Sequence, residues 1–160
     1  MNAFLDSKDV QDNGPELYER IQRDGYLFIS GLLPTKLLEK LRLDFVAIAR
    51  QAGWVKVDVP MGDAIADLNA FCVEPEPRYM EVYSRMYKLE AFHLLAHHPN
   101  IIGLFERMFG GPVMPHPKLG GRSIFPQREA FTTPGHQDFV FIQGTNESYT
   151  TWIPLHNVSP

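Results

Sequence analysis

Cysteine occurs once in the 160 residues, at position 72, which excludes an internal disulfide and fits a reducing compartment. No histidine pairing is suggested near Cys72, so it reads as a small buried hydrophobe rather than a nucleophile. No apolar run approaches the length of a membrane span. The opening residues Met1 to Asp9 lack a charged segment followed by an apolar one, so no signal peptide is expected and a cytoplasmic address follows by default. Blocks of like charge are missing too. Lys and Arg number 15 against 19 Asp and Glu, for a net charge of −4, which argues against a nucleic-acid or anionic-membrane partner. Internal repeats and low-complexity tracts are absent. Asn146-Glu147-Ser148 and Asn157-Val158-Ser159 match the glycosylation acceptor pattern, but without a secretory signal they read as turn chemistry.

What remains is ordinary globular composition, 44% hydrophobic and 21% charged, in a chain long enough for one domain with a buried core. Residues 1–14 are polar without a period and read as a loose arm. Pro15 suits the first turn of a helix over Glu16 to Arg23, and Tyr26 to Ile29 form a short strand between Gly25 and Gly31. Pro34 opens the clearest helix, running to about Ala52 and closed by Gly53, with Leu37, Leu41, Phe45 and Ile48 on one face. The pattern breaks from Trp54 to Arg78, where only Asp63 to Phe71 suggests a turn or two of helix. Helical segments follow at Tyr79 to Tyr87 and Leu89 to His97. Pro99 starts another, with Ile101, Leu104, Phe105 and Met108 as its stripe and Gly110-Gly111 as its stop. After residue 111 the period changes. Val113 to Phe125 reads as strand material interrupted by Pro115, Pro117 and Gly120-Gly121. A mainly helical stretch over 15–111 before a β-rich one over 112–160 is an α+β arrangement.

The chemistry concentrates in Pro134-Gly135-His136-Gln137-Asp138-Phe139-Val140-Phe141-Ile142, which reads as a loop feeding a strand. On a strand, His136 and Asp138 share one face while Gln137 points away. An imidazole and a carboxylate side by side are two of the three ligands of a 2-His-1-carboxylate iron site. The bland alternative is a metal-independent domain in which the two merely hydrogen-bond each other. His93 and His97 lie one helical turn apart, but no third ligand of suitable spacing accompanies them. His98, before Pro99, reads as a helix-boundary residue.

His136-Gln137-Asp138, followed by Thr150-Thr151-Trp152-Ile153 and the turn Asn157-Val158-Ser159-Pro160, resembles the phytanoyl-CoA dioxygenase family. Arg23 to Leu33 is similar to that family's opening strand, and His98 to Gly110 to the helix before its barrel. The resemblance implies a non-haem Fe(II), 2-oxoglutarate-dependent oxygenase that hydroxylates a small-molecule substrate and converts 2-oxoglutarate to succinate and CO2. It implies N-terminal helices packed on a double-stranded β-helix of the jelly-roll or cupin-like kind, with His136 and Asp138 as metal ligands. Lys88, in Lys88-Leu89-Glu90-Ala91-Phe92, matches the family's lysine facing 2-oxoglutarate, and Trp152 occupies its tryptophan position near the co-substrate. Arg122, on the preceding strand, could pair with a carboxylate of the co-substrate. Solvated surface charges for Lys88 and Arg122, and a core aromatic for Trp152, stay open. The family's second iron histidine and its partner for the far carboxylate lie several tens of residues beyond the aspartate, and His156 falls too near. The chain is therefore expected to be the N-terminal portion of a longer oxygenase domain with an incomplete β-helix, whose open edges would favour self-association. The competing expectation is a non-catalytic homologue that binds a ligand or partner without turnover.

Overall fold

Proline, glycine and short polar side chains set the helix ends. In the computed structural model, which describes residues 4–126, 135–145 and 147–158, two compact units form. One comprises Met1–Lys40, Glu90–Leu119 and Val158–Pro160; the other comprises Leu41–Leu89 and Gly120–Asn157.

In the first unit, Asn13 caps α1 (Gly14–Asp24), its side-chain oxygen accepting from the Glu16 N–H at 3.3 Å. Pro15 sits in the first turn, and Gly25, at φ 76°, closes the helix. His98 opens α5 (Pro99–Phe109) in the same way, its ring Nδ1 accepting from the Asn100 N–H at 3.2 Å. This is the boundary role its sequence context predicts. Helix α1 packs against α5, burying Leu17 completely on one and Ile101, Leu104 and Met108 on the other. Gly14 permits that approach, because a Cβ there would stand 1.9 Å from the Arg107 carbonyl oxygen. The short α4 (Glu90–Ala96) also belongs to this unit.

The opening residues carry more structure than their lack of period suggests. Lys8–Val10 form a 3-10 turn, and the Ser7 N–H donates to the Phe28 carbonyl at 2.7 Å. Arg20 donates to both Asp9 oxygens at 3.0 and 3.1 Å and to Glu16 at 3.0 Å. A side-chain network, which has no periodicity to detect, fixes this segment. Tyr26–Ile29, expected as a strand, contributes only an isolated parallel bridge between Phe28 and Asp6.

The second unit is built on aromatic rings. Helix α2 (Thr35–Gln51) contributes Leu41, Val46 and Ala49 as its buried residues, while Phe45 and Ile48 are only partly buried. Gly53, at φ 78°, turns the chain so that Trp54 enters the core. Trp54 stacks on Tyr79 with ring centres 5.4 Å apart and meets Phe125 edge-on at 5.6 Å. Tyr79 belongs to α3 (Pro77–Tyr87). Its hydroxyl donates to the Ser123 carbonyl at 3.3 Å and accepts from the Ser123 N–H at 3.4 Å. Those two bonds tie an irregular segment to a helix. Between Trp54 and α3 the chain makes two 3-10 turns, Met61–Asp63 and Leu68–Ala70, in place of a longer helix.

Burial pushes the Tyr79 phenol above its ordinary value of 10.0. A group that ionises more readily unfolded than folded costs stability once pH passes its unfolded value. Stability is therefore expected to hold up to about pH 9 and to fall as pH rises past 10. Urea unfolding across pH 7 to 11, as an order-of-magnitude range around that value, reads this directly. Tyr79→Phe is expected to lower the plateau and flatten the alkaline decline.

The expected β architecture is not there. Helix makes up 48% of the described residues, and no strand, sheet or barrel occurs among them, so a double-stranded β-helix is not present. Within 112–160, expected to be β-rich, the described residues form one single-turn helix, α6 (Phe139–Ile142). The reason lies in what a strand is. Aromatic and β-branched residues favour a pleated, half-buried surface only where a neighbouring strand supplies pairing and cover. Phe139, Val140 and Phe141 have no such cover and are 48, 66 and 70% exposed. Between Val113 and Arg122, Pro115 and Pro117 remove ladder donors. No helix among the described residues is long and apolar enough to cross a membrane.

Candidate functional site

His136 and Asp138 lie in the turn that leads into α6 rather than on a strand, and Asp138 is the residue immediately before that helix, in the right-handed helical region. Within the turn the pair still comes together. The His136 Nε2 stands 3.2 Å from Asp138 Oδ1, and the two side chains are 43 and 40% exposed. The other carboxylate oxygen of Asp138 accepts a hydrogen bond from the Thr150 hydroxyl at 2.6 Å. That bond orients the carboxylate from outside, as partners of metal ligands commonly do.

The donor set fits part of a metal site. Nitrogen and oxygen ligands held about 2.0–2.2 Å from one metal and at a right angle lie about 3 Å apart. The separation of His136 and Asp138 is close to that edge, and both side chains can be reached from solvent. Among the described residues no cluster of three or more His, Cys, Asp or Glu side chains forms, so this site offers two protein donors. His93 lies against the Phe92 ring at 5.5 Å, and His156 is exposed with its Nδ1 2.7 Å from the Asn157 carbonyl oxygen.

The remaining sequence-predicted residues are placed separately. Lys88 is exposed at the carboxyl end of α3. Arg122 lies 3.5 Å from Glu74, each about half exposed. Trp152 is 75% exposed, so the core-aromatic alternative fails for it. Pro134 and the closing Ser159-Pro160 of the motif lie outside the described residues, as does Asn146. Sequence reasoning missed Thr150, treating it as strand material two positions before Trp152, although a hydroxyl twelve residues beyond the aspartate was visible. Nothing in the sequence marks Glu74 as the partner of Arg122, 48 positions away.

No known family model matches the chain, and no solved structure does. Among curated proteins, the 1-deoxypentalenic acid 11-beta-hydroxylase of Streptomyces arenae is 22% identical over 161 residues. The chain is distantly similar to a hydroxylase. The match takes in 95% of this chain and 52% of the hydroxylase, so the chain spans about half the length of that relative. Because 95% of the chain is covered, the likeness to the hydroxylase extends well beyond the stretch around His136 and Asp138.

Proposed function

We propose that this chain belongs to a non-haem Fe(II), 2-oxoglutarate-dependent oxygenase of the phytanoyl-CoA dioxygenase type, hydroxylating a small molecule, with His136 and Asp138 as two iron ligands. The observation that carries the reading is the 3.2 Å approach of His136 to Asp138 in a chain similar over nearly its whole length to a hydroxylase. When bound, Fe(II) with 2-oxoglutarate and O2 supplies the oxidising power for hydroxylation, with succinate and CO2 as co-products. The chain's own share is placement. The neutral His136 ring offers a nitrogen lone pair, the Asp138 carboxylate offsets part of the metal's charge, and Thr150 holds that carboxylate in orientation. Lys88 and Trp152 are the proposed contacts of the co-substrate, whereas the Glu74 carboxylate beside Arg122 meets a dicarboxylate as a like charge and disfavours it there.

Anaerobic titration with Fe(II) and 2-oxoglutarate tests the assignment, followed by the visible absorption that the chelate develops. His136→Ala and Asp138→Ala are each expected to lower Fe(II) affinity at least about tenfold, and Thr150→Val to lower it less, a range typical of metal-ligand supporting shells. Melting temperature should stay near that of the parent, because both ligands are well exposed. Equal Fe(II) binding by the parent and the double variant sinks the proposal. A second reading, ligand binding without turnover, rests on the exposed pair of polar side chains that His136 and Asp138 present to solvent. It predicts that a small molecule binds saturably while Fe(II) and 2-oxoglutarate develop no absorption.

A further inference from the structure

A second site stands apart in its chemistry from the His136–Asp138 pair. Beside the amino end of α3 lies a cleft of about 230 Å³ whose walls include Phe71, Ile124 and Phe125 and whose charged lining groups, among the described residues, are Glu74 and Arg122. Phe71 and Phe125 meet edge to face with ring centres 5.8 Å apart, forming an apolar wall. Ile124 leaves 58% of its surface open beside that wall.

The charged end is small and balanced. A single N···O approach of 3.5 Å joins Arg122 to Glu74, with side chains 50 and 53% exposed. A long, solvated contact of this kind holds weakly and parts readily. It uses one of five guanidinium N–H groups, whereas a carboxylate ligand engages two in parallel at shorter range. The backbone behind both residues is fixed. Tyr79 holds Ser123, the neighbour of Arg122, by two hydrogen bonds, and Pro75 and Pro77 follow Glu74 in sequence.

We propose that this cleft binds a small apolar amino acid or an amino-acid-like zwitterion. Its carboxylate would take the Arg122 fork, its ammonium would take Glu74, and its hydrocarbon side chain would lie against Phe71, Ile124 and Phe125. Charge selects this class over its nearest competitors. A plain carboxylic acid would meet Glu74 as a like charge, and a plain amine would meet Arg122 as one. A zwitterion satisfies both charges that the closed pair now satisfies internally. The volume agrees, falling below the ~300–1,000 Å³ typical of sites for drug-sized ligands. The proposal does not rest on the iron reading, and its test needs no metal.

Calorimetric titration of the full chain with L-leucine, 4-methylpentanoate and 3-methylbutylamine decides the matter. L-leucine is expected to bind, and each analogue lacking one charge to bind at least about tenfold more weakly, the usual consequence of leaving a charged partner unmatched. Glu74→Gln should bring 4-methylpentanoate to within about threefold of L-leucine, since the repelling charge is then gone. Arg122→Gln should weaken L-leucine at least about tenfold, with Arg122→Lys falling between because it keeps the charge but loses the fork. If Arg122→Gln does not fold, the lysine variant carries the comparison. The proposal is overturned if L-leucine shows no saturable binding, or if 4-methylpentanoate binds the parent chain as well as L-leucine does.

Discussion

Gly14→Ala unfolds or severely destabilises the first unit, by about 3 kcal/mol or more in urea denaturation. In an ordinary helix the same change helps, since glycine costs roughly 0.5–1 kcal/mol relative to alanine. Here the added methyl would lie 1.9 Å from the Arg107 carbonyl oxygen and 2.6 Å from its carbon. Both atoms are backbone of α5, so no side chain can swing aside and α1 itself must withdraw. Overpacking usually costs ~1–3 kcal/mol when side chains can yield, and a displaced helix stands at or beyond the top of that range. Withdrawal would also open the burial of Leu17 and lengthen the 3.1 Å bond from Arg107 to the Gln11 carbonyl. Gly103→Ala on α5 is the control. Its methyl would meet only the tip of the Arg107 side chain, at 3.2 Å, so its midpoint should move little or rise slightly. Equal effects from the two substitutions would show that helix propensity, and not the crossing of α1 and α5, governs the result.

Trp54→Ala is expected to cost about 3–5 kcal/mol, the range for a large aromatic removed from a core. Trp54 is 4% exposed and touches both Tyr79 and Phe125, so its loss leaves a void with aromatic walls on two sides. Because whole domains are stable by only ~5–15 kcal/mol, such a loss should bring the second unit near its unfolding threshold at 25 °C. Tryptophan fluorescence cannot follow that variant cleanly, so circular dichroism with urea is the measurement. A cost near 1 kcal/mol, the typical value for any substitution, would mean that the ring stack contributes area but little fit. Trp54→Phe keeps the stacked geometry and should recover most of the stability.

The helices were legible because their ends are written in local chemistry. Pro15 and Pro99 sit in first turns, and Gly25, Gly53 and Gly110 adopt the left-handed backbone at or just after the last turns. Pro77 opens α3 in the same way, two residues before the Tyr79 start that the sequence reading gave it. Each of these signals lies within a few residues of the boundary it sets. The strand readings failed, since the residues read as strand were judged on propensity alone. Phe139 to Ile142 carries strong β character and forms a helical turn, because pairing depends on a distant segment that no short window contains. The candidate site was half visible for the same reason. His136 and Asp138 are two positions apart and their nearness survives the change from strand to turn. Thr150 and Glu74 act through space, so spacing along the chain did not disclose them. In α2 the periodicity found the right helix but placed its stripe one position early at two places, since Phe45 and Ile48 lie partly open beside the deeply buried Val46 and Ala49.

The packing of α1 on α5 has a consequence for how the chain is made. Leu17 and Leu104 are buried in helices that lie roughly ninety positions apart in sequence. At ~5–20 residues per second of synthesis, α1 waits about 4–18 s after leaving the ribosome before its partner exists. Closing so long a loop adds little to the entropic cost compared with a loop half as long. The delay is set by translation and not by the search for contact. During it the stripe around Leu17 is open to any chaperone that recognises short apolar helices, and slow codons between residues 25 and 98 would prolong that exposure without altering the finished fold.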